Sequence, residues 1–237
     1  MKNIIHRLEA QDWAAITETL HDKGFCVVDH ILTPEECRQL ITNYNTADLY
    51  RKTISMERYR FGSGEYKYFK YPLSSLINGL RQTVYTRIAP VANKWMEVLQ
   101  IPTTFPAAHE TLLQQCKAAG QDKPTVLILQ YGAGGFNTLH QDLYGDIFFP
   151  LQIVLFLNEP GEDYTGGEFV LTEQIPRAQS KANVLQPRQG SMLIFTTNFR
   201  PVKGSKGYYR VNMKHGVSPV HNGNRHTLGI IFHDALS

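Results

Sequence analysis

The sequence lacks any long hydrophobic run. Among its 237 residues, the longest purely apolar stretch is 153–157, far short of the roughly 20 residues that a membrane-spanning helix needs. The first residues, MKNIIHRLEAQDW, carry acids and histidine where a secretory signal has its apolar stretch. Cysteine is also scarce, and the three that occur are too widely spaced to indicate a disulfide framework: Cys26, Cys37 and Cys116. We therefore expect a soluble protein of the reducing cytoplasm, away from membranes.

Acidic side chains are absent from a long part of the chain, although the net charge is only +3. Residues 174–233 contain no Asp or Glu. The same stretch holds nine basic residues: Arg177, Lys181, Arg188, Arg200, Lys203, Lys206, Arg210, Lys214 and Arg225. Such asymmetry can mark a surface for an anionic partner, and it is also typical of a solvated sheet face. The sequence leaves both interpretations open.

The order of the predicted elements divides the chain into a helical front and a β-rich remainder. The composition, 42% hydrophobic and 19% charged, is that of an ordinary globular domain. Residues 50–71 interleave basic and aromatic side chains, which predicts a hairpin or a long loop. A short strand is predicted over 25–28. The helices predicted from apolar spacing and capping residues are 9–22, 33–44, 73–99 and 108–118.

After Pro124 the spacing of apolar residues changes to the alternation that is typical of strands. The strands predicted there are 125–131, 138–143, 151–157, 167–172, 191–197, 208–214 and 226–233. Several short strands at this spacing favour a β-barrel or jelly roll. We therefore predict a helical part over 1–123 and a β core over 124–237, joined in one compact unit with the helices covering a sheet face.

One short motif carries candidate chemistry. His140 and Asp142 are two residues apart, and on a strand such residues point to the same side. The imidazole and the carboxylate would lie about 7 Å apart along the chain, a separation that a metal ion can bridge. Such a pair is weak evidence by itself, so a second histidine from a distant strand is required. Alternation places His215 on the apolar face of its strand, either as that ligand or as a core histidine bonded to a backbone carbonyl.

Two histidines and one carboxylate on one face of a metal are typical of non-haem Fe(II) oxygenases. Arg225 lies ten residues after His215 and opens the last predicted strand, where Thr227 shares its face. A buried arginine needs an anionic partner. A dicarboxylate cosubstrate would provide one, because its distal carboxylate can accept hydrogen bonds from the guanidinium and from the hydroxyl of Thr227.

These residues belong to a longer ordered pattern. Its segments are YGAGGFNTLHQD (131–142), GGEF (166–169), a glycine before MLIF (190–195), and a histidine followed by RHT (215–227). Over most of residues 124–237 the pattern resembles that of the prolyl-hydroxylase-type Fe(II)/2-oxoglutarate-dependent dioxygenases. The resemblance implies an α+β fold with a double-stranded β-helix, or jelly-roll, core and a helical flank packed on its sheet.

The resemblance also implies a set of site residues and cofactors. His140, Asp142 and His215 would hold Fe(II). Arg225 would bind the distal carboxylate of 2-oxoglutarate, and Tyr131 matches a tyrosine that lines the cosubstrate pocket. The implied reaction uses O2, converts 2-oxoglutarate to succinate and CO2, and hydroxylates a C–H bond of a prime substrate; ascorbate is a further cofactor to consider. Asn137 stands where many members of the family have another tyrosine.

The identity of the prime substrate stays open. Residues 200–234 also resemble a bacterial family labelled as oxygenases acting on damaged nucleic acid. AlkB-type demethylases have a second arginine six residues after the cosubstrate arginine, but Ile231 stands there in this chain. The candidate substrates are a peptidyl residue, a modified nucleobase and a small metabolite. The non-enzyme alternatives are a metal-binding jelly-roll sensor and an oxygenase fold that only binds a partner.

Three further features have both a functional and a structural interpretation. Residues 51–71 could form a flap that grips the substrate, or an amphipathic hairpin over the core. Arg200, Lys203 and Lys206 are predicted in a loop that could border the entrance of the barrel. His226 is predicted to be structural, because alternation points it toward the helices.

Overall fold

The computed structural model describes residues 3–175 and 177–237. Its α-helices all lie in the first half of the chain: α1 (Ile4–Glu9), α2 (Trp13–Lys23), α3 (Pro34–Asn43), α4 (Ser75–Val98) and α5 (His109–Ala118). Two 3₁₀ turns, Ala47–Leu49 and Glu57–Tyr59, flank the first strand of a hairpin. No helix in the described part of the chain is both long and apolar enough to cross a membrane.

Capping residues set the ends of the first helices. The helix predicted over 9–22 is present as α2 with shifted ends, whereas α1, which precedes it, was not predicted. The carboxylate of Asp12 accepts a hydrogen bond of 3.0 Å from the amide of Ala15 and so starts α2 separately. Gly24 ends α2 in the left-handed conformation, with φ of 77°, as its position in the sequence predicts. The predicted cap of α3 is confirmed, since Thr33 and Glu36 form a reciprocal capping box.

The strands are β1 (Phe25–Val28), β2 (Tyr50–Ser55), β3 (Gly62–Ser63), β4 (Glu65–Phe69), β5 (Leu127–Tyr131), β6 (Phe136–His140), β7 (Leu151–Phe156), β8 (Tyr164–Gly166), β9 (Phe169–Gln174), β10 (Lys181–Leu185), β11 (Met192–Thr196), β12 (Phe199–Gly204), β13 (Gly207–Val217), β14 (Val220–Gly223) and β15 (Arg225–Ile231). All seven strands predicted after Pro124 are present, with shifted ends. Sequence analysis missed β8, β10, β12 and β14, which are short or polar, or contain a proline.

The strands form two main antiparallel sheets. The major sheet has the order β1-β11-β7-β15-β5-β4-β2, and the minor sheet has the order β10-β9-β13-β6-β3 with β12 paired to β13. Strands β8 and β14 form a small third sheet. This double-stranded β-helix in an α+β chain confirms the predicted fold class. Because β1, β2 and β4 join the major sheet from the first 123 residues, the two predicted parts share a sheet, and the division at residue 124 stays a prediction.

Two hydrophobic clusters pack on opposite faces of the major sheet. On the outer face, helix α4 is buried along one side and packs with the other helices against residues such as Ile153 and Leu228. The helical flank therefore covers this sheet, as predicted. On the inner face, Val154 and Phe195 of the major sheet pack against Phe169 of the minor sheet. The remaining space between the sheets is a cavity, on which the candidate site residues converge.

Candidate active site

The cavity between the two sheets has a volume of about 250 Å³. Aliphatic and aromatic side chains of both sheets make up much of its wall, among them Leu127, Leu129 and Phe169. A small set of polar side chains interrupts this wall. All six site residues predicted from the sequence belong to that set: Tyr131, His140, Asp142, His215, Arg225 and Thr227. An apolar cavity with few convergent polar groups is the usual form of a ligand site.

His140, Asp142 and His215 lie together at one place in the cavity wall. The Nε2 atom of His215 is 3.2 Å from Oδ2 of Asp142, and Nε2 of His140 is 3.6 Å from Oδ1 of the same carboxylate. The centroids of the two imidazole rings are 4.2 Å apart. One ligand atom from each residue lies within 4.8 Å of the others, which is compatible with one metal ion between them.

Antiparallel pairing of β13 with β6 brings the two histidines together. His215 and His140 are directly opposed in the register of these strands. Val211, Met213 and His215 are buried while Arg210, Asn212 and Lys214 are exposed, so alternation along β13 follows the prediction. Alternation therefore turns the imidazole of His215 into the barrel.

Asp142 reaches the site differently from the prediction. The expected strand over 138–143 ends at His140, so Asp142 does not share a strand with it. The next residue, Gln141, explains the irregular path. Its side-chain amide donates to the carbonyls of Asn198 (2.9 Å) and Met213 (2.8 Å), and these bonds hold the segment against β13. The carboxylate thus turns toward His215 through a fixed loop and not through strand geometry.

The rings of both histidines are held in place by their neighbours. Nδ1 of His140 lies 2.8 Å from the carbonyl of Thr138. A carbonyl only accepts, so Nδ1 carries the proton and Nε2 keeps its lone pair for a metal. The ring of His215 stacks on Phe169 and meets Phe195 edge-on. Burial and the charge of His140 lower the pKa of His215, and although Asp142 opposes this shift, the neutral, metal-binding form is favoured.

The carboxylate of Asp142 has two hydrogen-bond donors that sequence analysis missed. The hydroxyl of Tyr144 donates to Oδ1 and the side-chain amide of Gln152 donates to Oδ2, each at 2.9 Å. Burial raises the pKa of this carboxyl, but the hydrogen bond and charge of His215, the charge of His140 and the Gln152 bond outweigh burial and leave it lowered. No motif marks Tyr144 or Gln152, although the nearness of Tyr144 to Asp142 in sequence was a weak signal.

Arg225 is buried against aromatic rings. Only 1% of the residue is exposed, and none of its three guanidinium nitrogens has a hydrogen-bond partner in the described part of the chain. The guanidinium carbon lies 5.5 Å from the ring centroids of both Tyr131 and Phe156. Gly167 makes room for it, because a Cβ there would stand 2.9 Å from Cδ of Arg225. A buried cation without a partner is unfavourable, so we expect an anion to bind beside this guanidinium.

Two hydroxyl groups also face the cavity beside this cation. Thr227 is 2% exposed and follows Arg225 on the same face of β15. Tyr131 lies opposite Arg225 in the pairing of β5 with β15, and its hydroxyl oxygen accepts a bond of 3.4 Å from the amide of Asn137. The proton of that hydroxyl is therefore free to donate. Burial raises the pKa of Tyr131 to about 12, so it remains protonated at neutral pH.

The segment 51–71 is a fixed wall of the cavity. It forms the hairpin of β2 and β4, and β3 at its tip pairs with β6. The carbonyl of Phe61 accepts hydrogen bonds from both the amide and the hydroxyl of Thr138, each at 2.8 Å. Phe61 and Tyr66 line the cavity. The hairpin prediction is confirmed, and the expected contact with substrate stays a prediction.

Arg200 does not border the entrance, so this expectation is wrong. It lies in β12 on the inward face, where its guanidinium pairs with Glu173 at 2.9 Å and donates to the carbonyl of Asp22. A buried acid just upstream of the acid-free stretch decides its orientation. His226 is buried as predicted: its ring meets Tyr44 of the segment after α3, and its amide donates to Asn158.

The donor set fits Fe(II) and 2-oxoglutarate. Two imidazole nitrogens and one carboxylate suit Fe(II) and leave metal positions free for other ligands. The partnerless guanidinium of Arg225, with the hydroxyls of Tyr131 and Thr227, suits a carboxylate. Both groups line one cavity, as a cosubstrate that reaches from the metal to the arginine requires.

Known proteins are similar to this chain in sequence. A model of the family Oxygenase-NA, described as "Oxygenase, catalysing oxidative methylation of damaged DNA", matches residues 64–235. Two Mycobacterium tuberculosis proteins, uncharacterized protein MT2286 of strain CDC 1551 and uncharacterized protein Rv2227 of strain H37Rv, are each 46% identical to this chain over 167 residues. The alignments cover 70% of this chain and 72% of each relative.

Solved structures share the fold at low sequence identity. A prolyl hydroxylase from Trichoplax adhaerens, in complex with a hypoxia inducible factor peptide fragment, is 15% identical with a TM-score of 0.59, covering 97% of this chain and 92% of that one. A Pseudomonas putida prolyl-4-hydroxylase is 15% identical with a TM-score of 0.52, covering 92% and 96%. A 2OG-Fe(II) oxygenase family protein from Burkholderia pseudomallei is 14% identical with a TM-score of 0.52, covering 95% and 94%. Because the family model spans most of the chain and two relatives are 46% identical over 70% of it, the chain belongs to the Oxygenase-NA family of oxygenases.

Proposed function

We propose that His140, Asp142 and His215 hold Fe(II) at the wall of the cavity. The observation that carries this proposal is their convergence within 4.8 Å, in the same cavity as a buried arginine without a partner. When bound, Fe(II) and 2-oxoglutarate supply the oxidation of a substrate C–H bond by O2, with 2-oxoglutarate converted to succinate and CO2. The chain supplies the ligands, the orientation and a largely apolar cavity.

The second part of the proposal assigns the cosubstrate. Arg225 binds the distal carboxylate of 2-oxoglutarate through its guanidinium, and the hydroxyls of Thr227 and Tyr131 donate to the same group. The burial of Arg225 supports this, because pairing with an anion removes the penalty of an isolated buried charge. The free proton of the Tyr131 hydroxyl supports it as well, since Asn137 already occupies the acceptor side of that oxygen.

Three kinds of neighbour would position the metal ligands. Tyr144 and Gln152 each donate to one oxygen of Asp142, which fixes the plane of the carboxylate. The carbonyl of Thr138 fixes the tautomer of His140. Phe169 and Phe195 keep water from the buried side of His215. Such neighbours commonly change metal affinity about 10- to 100-fold when they are removed.

Turnover without a prime substrate tests the assignment. The protein, supplied with Fe(II), O2 and ascorbate, should convert 2-oxoglutarate to succinate, and His215→Ala should abolish this reaction. His221→Ala is the matched control, because His221 is exposed on β14 outside the cavity and its substitution should leave the rate unchanged. Wild-type rates in His215→Ala would contradict the ligand set. Metal binding without any succinate would favour the sensor alternative.

The prime substrate is proposed at the level of class. The enzyme hydroxylates a C–H bond of a substrate that enters the apolar cavity, and nucleic acid is the candidate with most support. The family description names damaged DNA, and two exposed aromatic rings stack on each other at the cavity rim. Ile231, which lines the cavity, occupies the place of the second arginine of AlkB-type demethylases, so recognition of a base would have to differ from theirs.

A cytoplasmic location is part of the same proposal. Cys26, Cys37 and Cys116 are all free and buried, as expected of a chain from a reducing compartment.

A further inference from the structure

The tip of the β2–β4 hairpin carries an exposed aromatic stack at the rim of the cavity. We propose that this tip is a docking surface for one strand of nucleic acid, and that an unpaired base next to the base that enters the cavity extends the stack formed by Phe61 and Tyr59. The inference rests on the proposed function and names the substrate class and the residues that recognise it.

The geometry of the two rings suits stacking. The ring centroids of Tyr59 and Phe61 are 5.5 Å apart and their planes differ by 18°, so the rings lie in an offset parallel stack. Tyr59 is 46% exposed and Phe61 is 45% exposed. Adjacent exposed apolar rings form a small patch of the kind that can bind a partner, whereas single exposed rings are common on protein surfaces. A flat base would extend this stack, whereas an aliphatic side chain would leave much of the ring faces uncovered.

The stack lies where a substrate must pass. Phe61 lines the cavity and is exposed at the same time, so it stands at the rim and not in the interior. Leu143 is a second rim residue, 49% exposed and close in sequence to Asp142. A nucleic acid strand with one base stacked on Phe61 would therefore have a neighbouring base close to the opening of the cavity. Enzymes that modify a base inside a protein pocket must first remove that base from the base stack of the duplex. They therefore act on single-stranded nucleic acid or on a base that is flipped out of a duplex.

The hairpin tip is held rigidly, which lowers the entropy lost on binding. Thr138 bonds the carbonyl of Phe61 twice, and the amide of Phe61 donates to the carbonyl of Met56 at 3.0 Å. Gly62 lies directly against β6, because a Cβ there would be 2.2 Å from the carbonyl oxygen of Phe136. The carbonyl of Thr138 also orients His140, so the same residue joins the docking surface to the metal ligand.

The charge of the tip favours an anionic partner. Arg58 and Arg60 are exposed beside the aromatic stack, and the guanidinium carbon of Arg58 lies 5.7 Å from the centroid of Tyr59. The acid at this tip, Glu57, is engaged within the turn, where its carboxylate accepts hydrogen bonds from the hydroxyls of Ser55 and Ser63 and from the amide of Gly64. Stacked rings next to arginines are the combination that binds single-stranded nucleic acid.

Fluorescence anisotropy with a labelled oligo(dA) of about ten nucleotides, a typical site size, tests the surface. Phe61→Leu and Tyr59→Leu keep an apolar side chain and remove the flat ring, and each should weaken binding about 5- to 150-fold, the range that follows from base-stacking energies. Tyr208→Leu is the matched control, because Tyr208 is 48% exposed at the start of β13 and does not line the cavity. Its affinity should equal that of the wild type.

Charge is tested separately through salt. Replacing Arg58 and Arg60 by glutamine should lower the slope of log affinity against log salt by up to about two, roughly one for each phosphate that is no longer neutralised. Lys206→Gln, an exposed change in the β12–β13 turn, should leave the slope unchanged. A thermal unfolding scan of each variant identifies any that is merely unfolded, and Tyr59→Leu, which changes a ring outside the cavity lining, then carries the test if Phe61→Leu fails to fold.

Several outcomes would overturn the inference. These are equal affinity of the wild type and both leucine variants, equal weakening in Tyr208→Leu, tighter binding of the same sequence as a duplex, or tighter binding of a labelled proline-containing peptide than of the oligonucleotide. Succinate formation by the wild type without prime substrate remains the test of the metal and cosubstrate site. Succinate without oligonucleotide binding would refute the docking surface alone, and oligonucleotide binding without succinate would refute the proposed activity alone.

Discussion

The polar side chains of the site are of two kinds: those that have hydrogen-bond partners within the protein and those that have none in the described part of the chain. The carboxylate of Asp142 is bonded on both oxygens, and His140 is bonded on the nitrogen that faces away from the other ligands. The guanidinium of Arg225, by contrast, lies against ring faces and has no hydrogen-bond partner in the described part of the chain. The protein therefore supports Asp142 and His140 with its own hydrogen bonds, whereas Nδ1 of His215 and the guanidinium of Arg225 have no partner in the described part of the chain.

Arg225→Met separates cosubstrate binding from metal binding. Loss of a buried charged hydrogen bond costs about 2–5 kcal/mol, so the Kd for 2-oxoglutarate should rise about 30-fold or more. Affinity for Mn(II), used in place of Fe(II), should change little. Without 2-oxoglutarate the variant should melt at a higher temperature than the wild type, because an isolated buried charge is replaced by an apolar side chain.

Titration calorimetry with Mn(II) and 2-oxoglutarate, together with thermal unfolding, measures these effects. Equal reductions of metal and cosubstrate affinity would mean that Arg225 is structural.

The elements differ in how well the sequence predicts them. Strand β13 is long and alternates clearly, so the inward direction of His215 follows from the sequence alone. Asp142 lies beyond the end of β6, and its direction depends on the bonds of Gln141 to two carbonyls that are distant in sequence. Such long-range bonds have no local pattern. The role of Gln152 is hidden for the same reason, because its bond to Asp142 forms only when β7 lies beside the segment after β6. Tyr144 is only two residues from Asp142, but no motif marks it.

Strand β12 is an element for which the sequence predicts a loop. A proline and two basic residues in FRPVKG predict a loop, but β12 pairs with β13 along its whole length. Pairing on one side of an edge strand tolerates a proline. Its arginine then points inward because Glu173 on β9 is within reach, a fact about sheet order that the sequence does not reveal. Charge composition alone therefore misplaces Arg200 at the entrance.

The contact between strands β3 and β6 can be tested by substitution of a glycine. Gly62 has φ of +149°, and a Cβ would be 2.2 Å from the Phe136 carbonyl oxygen, so Gly62→Ala must push the hairpin tip away from β6. Gly207→Ala is the matched control, with φ of +116° and nothing within 4 Å of the added Cβ. Both carry backbone strain, about 1 kcal/mol or more, but only Gly62→Ala adds a clash.

Hydrogen exchange at the amide of Thr138, which donates to Phe61, measures the separation of the two strands. Its protection should fall at least about tenfold in Gly62→Ala relative to Gly207→Ala, since each 1.4 kcal/mol of added strain is a factor of about ten. Equal protection in the two variants would show that the hairpin tip is not held by this contact.

At the scale of the whole molecule, helices cover the outer face of the major sheet. Several ionisable side chains are buried in the folded protein. His226 is 7% exposed between Tyr44, Asn158 and the nearby Asp163. Burial lowers the pKa of His226 to about 4, with the charge of Asp163 opposing the shift. Burial and the charge of Arg81 likewise lower the pKa of His109, on α5, to about 3. Both histidines are neutral in the folded protein at neutral pH.

Acid should therefore destabilise the fold before any carboxylate of the site is protonated. In the unfolded chain His226 binds a proton below pH about 6.5, whereas in the folded chain it does so only below about 4. Between these values the unfolded state holds more protons, so the free energy of unfolding falls as pH falls. The contribution of His226 amounts to about 3 kcal/mol over that window. His226→Gln, which cannot titrate, should lose this part of the pH dependence, while His221→Gln at an exposed position supplies the background. Urea unfolding at several pH values between about 7 and 4 measures this contribution. Parallel pH profiles of stability for the wild type and His226→Gln would show that folding does not lower the pKa of His226.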